Sequence, residues 1–326
     1  MVRPFFCPYR YPLIERSTMK TYFFGLLYVV FLPITFAQQA SEIGPATSED
    51  AEAPELAADT VATREVTLDA TGKTSFAQTG FRNWAEGGIN SLAIGQLIEA
   101  TAQIESERWL TKYDVRLGFG LIKQDTLAFR KSEDVIRINA SWAYTGPGMF
   151  RNLSPTLALS FRSQFAAGLN YDKDPTGQGR LLPVKVSDLL APATTNQSIG
   201  LSYRPSNVFR TRLGLASKQT IVAIERLRPL YALQPDQGVR VEAGLESVSE
   251  FDKEVVSNVR WKSQLSVFSA VVTDIVPDVM WENYISMRVN SWLQFNSSLL
   301  AIFDRDITSE IQFKEVFGIG LAITFI

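Results

Sequence analysis

Histidine is missing from this chain of 326 residues, and its absence excludes several classes of function. Nucleophilic sites that pair serine or cysteine with histidine cannot form, and neither can metal sites built on imidazole ligands. The side chain that most often changes charge near neutral pH is also absent. The sequence contains no phosphate-binding loop, dinucleotide fingerprint or metal-spaced cluster in its place. We therefore expect no enzymatic activity, no cofactor and no metal site.

Cysteine occurs once, as Cys7, and it precedes a segment that is typical of a secretory signal peptide. Met19 and a lysine are followed by the uncharged, apolar residues 21–37, which end in Thr-Phe-Ala. We predict that the chain starts at Met19 and is cleaved after Ala37, with residues 1–18 as an upstream extension. The alternative is an uncleaved membrane anchor, for which this apolar stretch is short. Cleavage would leave an exported protein without disulfide bonds.

An excess of charge of one sign is also lacking, since 32 basic residues face 34 acidic ones. Without a basic excess there is no long-range field to attract DNA or RNA, so no nucleic-acid partner is expected. Residues 38–72 begin with a stretch rich in Ala, Glu, Asp, Thr and Pro, which buries too little apolar surface to offset its ordering entropy. We predict an acidic, disordered periplasmic linker over 38–72 and a folded domain over 73–326.

From about residue 74 onward, apolar and polar residues alternate along most of the chain. Tyr113, Val115 and Leu117, for example, alternate with Asp114 and Arg116. A period of two predicts half-buried antiparallel strands, and several are long enough to cross a bilayer at a tilt. Within a range of 10 to 14, the pattern favours twelve strands: 74–82, 89–103, 107–122, 132–144, 155–169, 195–204, 208–216, 239–246, 255–268, 279–289, 293–303 and 313–325.

The connections between these strands favour an all-β, antiparallel transmembrane β-barrel. Taken alternately, they place the longest loops, 170–194 and 217–238, at one end, as outer-membrane barrels place long loops outside. The other set, which includes 247–254, is shorter. A secreted β-sandwich is the alternative, and it has no reason to sort its loops in this way.

Aromatic residues agree with a membrane location. In the predicted register Trp109 and Trp142 fall at the same end of neighbouring strands, with Tyr113 and Tyr144 nearby, as in an interfacial girdle. Ordinary strand packing is the alternative for any one of them. Phe325, one residue from the end, is close to the aromatic terminus that barrel-assembly machinery recognises. We predict the outer membrane of a Gram-negative bacterium, with its lipid and the assembly machinery as partners.

The side chains predicted to face the lumen are mainly basic. A basic lumen would attract anions and reject cations. The same arginines would equally serve as polar filling of a narrow barrel, hydrogen-bonded to inward Gln, Asn and Ser side chains, and both interpretations stay open. The lumen-facing candidates are Arg116, Arg137, Arg162, Arg212, Arg240, Arg260, Arg288, Glu242 and Glu282.

Four segments carry a family resemblance: NWAEGGINS at 83–91, SDLLAPA at 187–193, WEN at 281–283 and GIGLAITF near the end. Together they resemble the Bacteroidetes envelope proteins known as domain of unknown function 3078, over about residues 76–326. The resemblance implies an outer-membrane β-barrel and assigns no catalytic or binding residue. The signature residues are Asn83, Trp84, Gly87, Gly88, Asn90, Ser187, Asp188 and Pro192.

For function, the sequence leaves two hypotheses open. The first is a barrel that passes or binds a small solute, with a preference for anions if the lumen is basic. The second is a non-conducting structural or interaction barrel, with loops 170–194 and 217–238 as its contact surface. No residue pattern in the chain identifies a substrate.

Overall fold

Twelve long antiparallel strands form the wall of a closed barrel. The computed structural model describes residues 64–80, 89–271 and 276–324. The barrel strands are β1 (Glu65–Thr79), β2 (Ser91–Glu105), β3 (Trp109–Gln124), β4 (Arg130–Tyr144), β5 (Leu153–Ser163), β8 (Ala193–Tyr203), β9 (Phe209–Ile221), β10 (Val239–Val256), β11 (Val259–Ala270), β12 (Asp278–Arg288), β13 (Leu293–Asp304) and β14 (Thr308–Thr324), while β6 (Gly168–Asn170) and β7 (Val184–Ser187) pair with each other outside the wall.

Each barrel strand pairs with the next one along the chain, with β5 paired to β8 because β6 and β7 lie in the loop between them. β1 closes the ring against β14. Two short 3-10 helices, Gly148–Arg151 and Glu225–Tyr231, lie in connections. In the described part of the chain, no helix is long and apolar enough to span a membrane.

The prediction of a closed antiparallel barrel with twelve strands is confirmed, and several of its boundaries need correction, among them the end of β9 at Ile221 and the start of β14 at Thr308. β1 begins at Glu65, so residues 65–72 belong to the wall instead of the linker. β5 ends at Ser163, before the predicted limit of 169. The predicted turn 247–254 is the end of β10, which continues to Val256 because its alternation persists through charged residues.

Several predictions fall outside the described residues. They are the signal peptide, Cys7, the linker before residue 64, Phe325 and the signature residues Asn83, Trp84, Gly87 and Gly88. These stay predictions.

The alternation of each strand separates an apolar outer surface from a polar interior. On β5, Leu157 and Leu159 are 45% and 38% exposed, whereas Thr156 and Ala158, which alternate with them, are buried. Leu213 and Leu215 of β9 are exposed in the same way. Because successive side chains of a strand point to opposite faces, one face of the wall is mainly apolar. This arrangement, apolar outside and polar inside, is typical of transmembrane barrels.

The connections are sorted by length, as predicted. One end of the barrel, the long-loop end, carries the connections 80–90, 125–129, 164–192, 222–238, 271–277 and 305–307. The opposite end, the short-turn end, carries 106–108, 145–152, 204–208, 257–258 and 289–292. Both β1 and β14 have their free termini at the short-turn end, which follows from the even strand number.

The seam that closes the barrel is its shortest ladder. Thr71–Ser75 of β1 pairs with Gly320–Thr324 of β14, whereas β1 pairs with β2 along its whole length. Among the described residues, the part of β14 from Thr308 to Ile319 therefore has β13 as its only ladder partner. Closure depends on few hydrogen bonds at this position.

Phe317 provides a test of the apolar outer surface, because its side chain is 62% exposed on β14. Phe317→Asp should destabilise the barrel by about 2 kcal/mol through the penalty for placing charge in hydrocarbon. The expected result is loss of the heat-modifiable band on gels of membrane fractions. Gln312→Asp, which places the same charge on the lumen side of the same strand, is the control and should assemble. Equal assembly of both variants would contradict the assignment of faces.

Candidate functional site

Ion pairs that reach across the lumen are the main feature of the barrel interior. Arg137 of β4 pairs with Glu282 of β12, and five strands separate β4 from β12 in either direction around the wall. The two side chains are 16% and 19% exposed. A contact between opposite walls means that this level of the lumen is filled by side chains.

A second group surrounds Tyr284 at mid-height. The Glu99 carboxylate accepts hydrogen bonds from Lys73 at 2.7 Å and from Arg116 at 3.2 Å. Lys73 Nζ also donates to the Tyr284 hydroxyl at 2.6 Å, and that hydroxyl donates to Asn296 at 2.7 Å. The Arg116 guanidinium lies 5.2 Å from the centre of the Tyr284 ring. This group connects β1, β2 and β3 with β12 and β13.

Toward the short-turn end, two glutamates of β10 bind arginines of the neighbouring strand. Glu250 pairs with Arg210 and lies 3.9 Å from Lys112, which comes from β3 across the lumen. Glu246 pairs with Arg212 at 2.8 Å. Glu246 also accepts a hydrogen bond from Asn196 of β8.

Toward the long-loop end, Lys218 is buried and is surrounded by carboxylates. It pairs with Asp278 and lies 3.7 Å from Asp304 and 4.0 Å from Glu242. Arg240 binds Glu242 at 3.2 Å and also pairs with Asp306 from the turn between β13 and β14. Two separate parts of the wall, β9–β10 and β12–β13, are thereby joined at this level.

Most of the predicted lumen candidates lie within this lumen network of ion pairs. Arg162 contacts a neutral group instead of a carboxylate, since its Nη1 lies 2.8 Å from the Met280 sulfur. Arg260 lies at the short-turn end, where it is half exposed and pairs with Asp252. Arg288 ends β12 and is exposed. The candidates with ionic partners inside the network are Arg116, Arg137, Arg212, Arg240, Glu242 and Glu282.

The basic excess predicted for the lumen is corrected by the structure, because acidic side chains on the inner face nearly match the basic ones in number. Glu250 was placed in a predicted turn, and Asp278 and Asp304 in predicted loops, because the strand ends were misplaced by a few residues. Lys73 was missed although it lies on a predicted strand boundary. The acidic partners found by the structure are Glu99, Glu133, Asp134, Glu250, Asp252, Asp278, Asp304 and Asp306.

Loops 164–192 and 222–238 pack together at the long-loop end, and we call them the cap. The first contains the signature segment, in which the backbones of Asp188 and Ala191 exchange hydrogen bonds of 2.8 and 3.0 Å. Gln164 Nε2 donates to the Asp188 carbonyl oxygen at 2.8 Å, and Ser187 Oγ donates to Gln164 Oε1 at 3.1 Å. Ser163 Oγ lies 3.5 Å from the Pro192 carbonyl oxygen. The segment is thus held to the end of β5.

A small apolar core holds the two cap loops to each other. Ala191 from the first loop is fully buried against Val222, Leu227 and Leu233 from the second. Leu227 and Val222 are the largest fully buried side chains in the described part of the chain. Sequence periodicity could not reveal this core, because its members come from two loops without regular alternation.

Polar contacts reinforce the cap. Tyr231 donates a hydrogen bond to the Val186 carbonyl oxygen at 2.8 Å, and burial raises the pKa of its hydroxyl to about 12. Because the pKa of the Tyr231 hydroxyl is raised, its contribution to stability is complete below the ordinary value of 10 and is lost as pH rises through 12.

For Asp188, burial acts to raise the pKa, but hydrogen bonds from Lys185 and the Leu189 amide lower it overall. That stabilisation is present at neutral pH and is lost as pH falls through the lowered value.

The cap also contacts the lumen network. Arg240 Nη1 donates to the carbonyl oxygens of Tyr231 and Ala232 at 3.4 and 3.3 Å. On the other side, Asp134 of β4 accepts hydrogen bonds from the amides of Phe165 and Ala166 at 2.7 and 2.9 Å. The cap is therefore fixed to the wall at two positions by charged side chains.

The fold and its interior define a transmembrane β-barrel with a polar, occupied lumen. Residues 76–169 match the family model described as "Protein of unknown function (DUF3078)", which confirms the predicted family resemblance over those residues. Asn90 and the described start of β2 lie within the match, whereas Ser187, Asp188 and Pro192 lie beyond it. No relative was found among curated proteins.

Several solved structures are similar in architecture. The translocator domain of the autotransporter NalP from Neisseria meningitidis has 10% identity and a TM-score of 0.34, over 81% of this chain and 89% of that one. An outer membrane channel from Pseudomonas putida F1 has 9% identity and a TM-score of 0.34, over 84% and 99%. A porin has 8% identity and a TM-score of 0.31, over 80% and 100%. Similarity at this level carries no argument about function.

Glu282→Gln tests the contribution of the pair that joins the opposite walls. The substitution leaves Arg137 without its carboxylate, and we expect a loss of about 2 kcal/mol, less than for a fully buried pair because both groups are partly hydrated. The midpoint of urea unfolding of refolded protein measures the effect. The double variant Arg137→Gln/Glu282→Gln should recover part of the loss.

The matched control is Arg260→Gln, which breaks the exposed pair with Asp252. Because solvent screens that pair, the expected change is below about 0.5 kcal/mol. Equal effects of Glu282→Gln and Arg260→Gln would contradict a structural role for the pair across the lumen.

Leu227→Ala tests the cap core. The change leaves a cavity among Ala191, Val222 and Leu233, and loss of a buried leucine side chain typically costs about 2–5 kcal/mol. Because Arg226 precedes Leu227 in the cap, loosening of the cap should increase the rate of tryptic cleavage after Arg226, whereas trypsin does not cleave the bond between Arg228 and Pro229. Leu181→Ala, at a leucine of the same end that is 94% exposed, is the control and should leave the rate unchanged. An unchanged rate in Leu227→Ala would contradict a packed cap.

Proposed function

We propose that the protein is an integral barrel of the outer membrane of a Gram-negative bacterium, closed to free diffusion in its resting state. The apolar outer surface supports the membrane location, since exposed side chains such as Ile199, Leu215 and Leu245 would be costly in water. The signal peptide predicted over residues 19–37 supplies the export route. Assembly machinery would recognise the C-terminal strand.

Aromatic contacts on the outer surface support the position of the membrane boundary near the short-turn end. Trp109 meets Tyr144 edge to face at 5.4 Å, and Tyr113 meets Trp142 at 6.0 Å, as the predicted register requires. On the other side of the barrel, Phe251 contacts Trp261 at 5.0 Å. Interfacial belts of this composition are common to membrane barrels. In this orientation the long-loop end and its cap face outside.

The observation that carries the closed state is the contact between Arg137 and Glu282. A side-chain bridge between opposite walls, with further ionic layers above and below it, supports a lumen without a continuous aqueous path of porin width. Barrels with an aqueous channel usually have more strands, about 16–18, whereas smaller barrels are filled by their own side chains. A non-conducting barrel whose cap forms the contact surface is therefore the function that the geometry supports best.

Passage of a small solute is the second candidate. It is favoured by the chemistry of the filling, because the lumen is lined by polar and charged groups at every level instead of a packed apolar core. Charged side chains are long and can exchange partners. Conduction would require the bridge between Arg137 and Glu282 to part. The charge pairing of the lumen removes the main reason to expect a preference for anions.

Planar-bilayer recording in a KCl gradient distinguishes the two candidates. The wild-type protein should be silent under conditions in which the double variant Arg137→Ser/Glu282→Ser, which shortens both sides of the bridge, shows steady conductance. The matched control is Arg260→Ser/Asp252→Ser, which removes an ion pair at the short-turn end and should stay silent. Steady conductance of the wild type would overturn the closed-barrel proposal and support the channel.

A further inference from the structure

A cavity of about 280 Å³ opens at the short-turn end of the lumen. Its mouth is formed by turns of the wall, with Arg151 from the 3-10 helix after β4 and Arg204 from the turn after β8. Its deeper part is lined by Thr156, Ser202 and Arg212. The volume is near the lower end of the range of small-molecule sites, which suits a ligand of few atoms.

We propose that this cavity binds a small oxyanion that carries a phosphate or carboxylate group. Two arginines at the mouth have guanidinium groups available for such a ligand. Among the described residues, no ion pair is formed by Arg151 or Arg204, and the Arg204 guanidinium donates to the Asn207 side-chain amide oxygen at 3.1 Å. The planar guanidinium group matches the geometry of carboxylate and phosphate oxygens.

Donors in the deeper part extend the site. The Nε–H of Arg212 is buried and has no acceptor among the described residues, although its Nη2 binds Glu246. Thr156 and Ser202 are both more than nine-tenths buried, and their hydroxyl oxygens are 2.8 Å apart. Thr156 Oγ1 also lies 2.9 Å from the Ser154 carbonyl oxygen, and its single proton serves one of these two acceptors. When a ligand oxygen accepts the Ser202 proton, the Thr156 proton goes to Ser202. A ligand oxygen at this position would also accept from the Arg212 Nε–H, a buried donor that is otherwise costly to leave unpaired.

Acidic residues in the lining do not cancel this potential. The deep carboxylate, Glu250, is already paired with Arg210 and lies 3.9 Å from Lys112. Glu105 and Glu107 are exposed to solvent beside the turn after β2, where water screens their charge. They set one edge of the mouth, so their removal should strengthen anion binding. The site is independent of whether the lumen conducts, because the cavity is reached from one end.

Isothermal titration of the refolded full-length barrel with inorganic phosphate and, separately, with succinate tests the proposal at low ionic strength. Saturable binding of at least one ligand is expected from the wild type, and the better ligand identifies the group preferred. Arg151→Gln and Arg204→Gln should each weaken binding by about tenfold through loss of one charge-assisted contact. Both residues lie outside the lumen network, so heat-modifiable mobility should be unchanged.

Two further variants make the test specific. Arg288→Gln removes an exposed arginine at the same end that does not line the cavity, and it should leave the affinity unchanged. Glu107→Gln should tighten binding several-fold if the ligand is an anion. The proposal is overturned if neither ligand saturates, if Arg288→Gln weakens binding as much as Arg151→Gln, or if Glu107→Gln weakens it. Any of these results would leave the closed-barrel proposal standing, since conductance is measured separately.

Discussion

Closure of the backbone hydrogen-bond network is the constraint on which the rest of this structure depends. A bilayer core offers no water to unpaired amide and carbonyl groups, so a sheet can cross it only when both edges are joined. Here the joining ladder between β1 and β14 is short, from Thr71 to Ser75 on one side, whereas the neighbouring β1–β2 ladder is three times as long. The start of β1 at Glu65 gives the barrel a long, well-paired first strand, and this strand then anchors the seam.

Closure with the apolar side chains outward leaves the interior to polar residues. In a water-soluble protein the largest apolar residues would fill the centre, but here the fully buried apolar residues Val222 and Leu227 lie in the cap. The barrel centre is filled by charged groups, which are costly to bury unless they are paired. The pairing of Arg137 with Glu282, and of Lys218 with Asp278, meets this requirement by contacts between distant strands. The lumen network therefore belongs to the solution of the folding problem, whatever else it does.

The strands of the wall and the ion pairs of the lumen differ in how far the sequence could predict them. Alternation depends on neighbours in the chain, and it was sufficient to predict all twelve barrel strands and the sorting of loops. The strand ends were less certain, because charged residues such as Glu250 and Asp252 continue the alternation of β10 while also resembling a polar turn. Misplacing that end removed acidic groups from the predicted inner face and contributed to the apparent basic excess, to which the acidic residues Glu99, Glu133 and Asp134 inside predicted strands also belong.

Contacts across the lumen could not be predicted, because they depend on which strands face each other after closure. Nothing in the local sequence of Arg137 indicates a partner 145 residues away. The cap core is a similar case, since Ala191 and Leu227 lie in separate loops without a regular period. The sequence does carry a signal for the cap, because the family resemblance includes the segment from Ser187 to Pro192, which contacts Gln164 and Ser163.

Carboxylates of the lumen network differ in how many cations they contact, and those with two cations are the least sensitive to the loss of one contact. Glu99 is bound by both Lys73 and Arg116, and Glu242 lies within reach of both Lys218 and Arg240. When one contact of such a group breaks, the carboxylate keeps a second cation, and the cost is that of a partly hydrated pair, on the order of 1 kcal/mol.

Glu282 is different, because Arg137 is its only ion-pair partner among the described residues and its second oxygen is buried without a hydrogen bond. Breaking that contact leaves both groups without their ion-pair partner, which is costly in a partly buried position. The bridge between the opposite walls therefore has no second ion pair to replace it, and opening of the lumen at this level requires its separation.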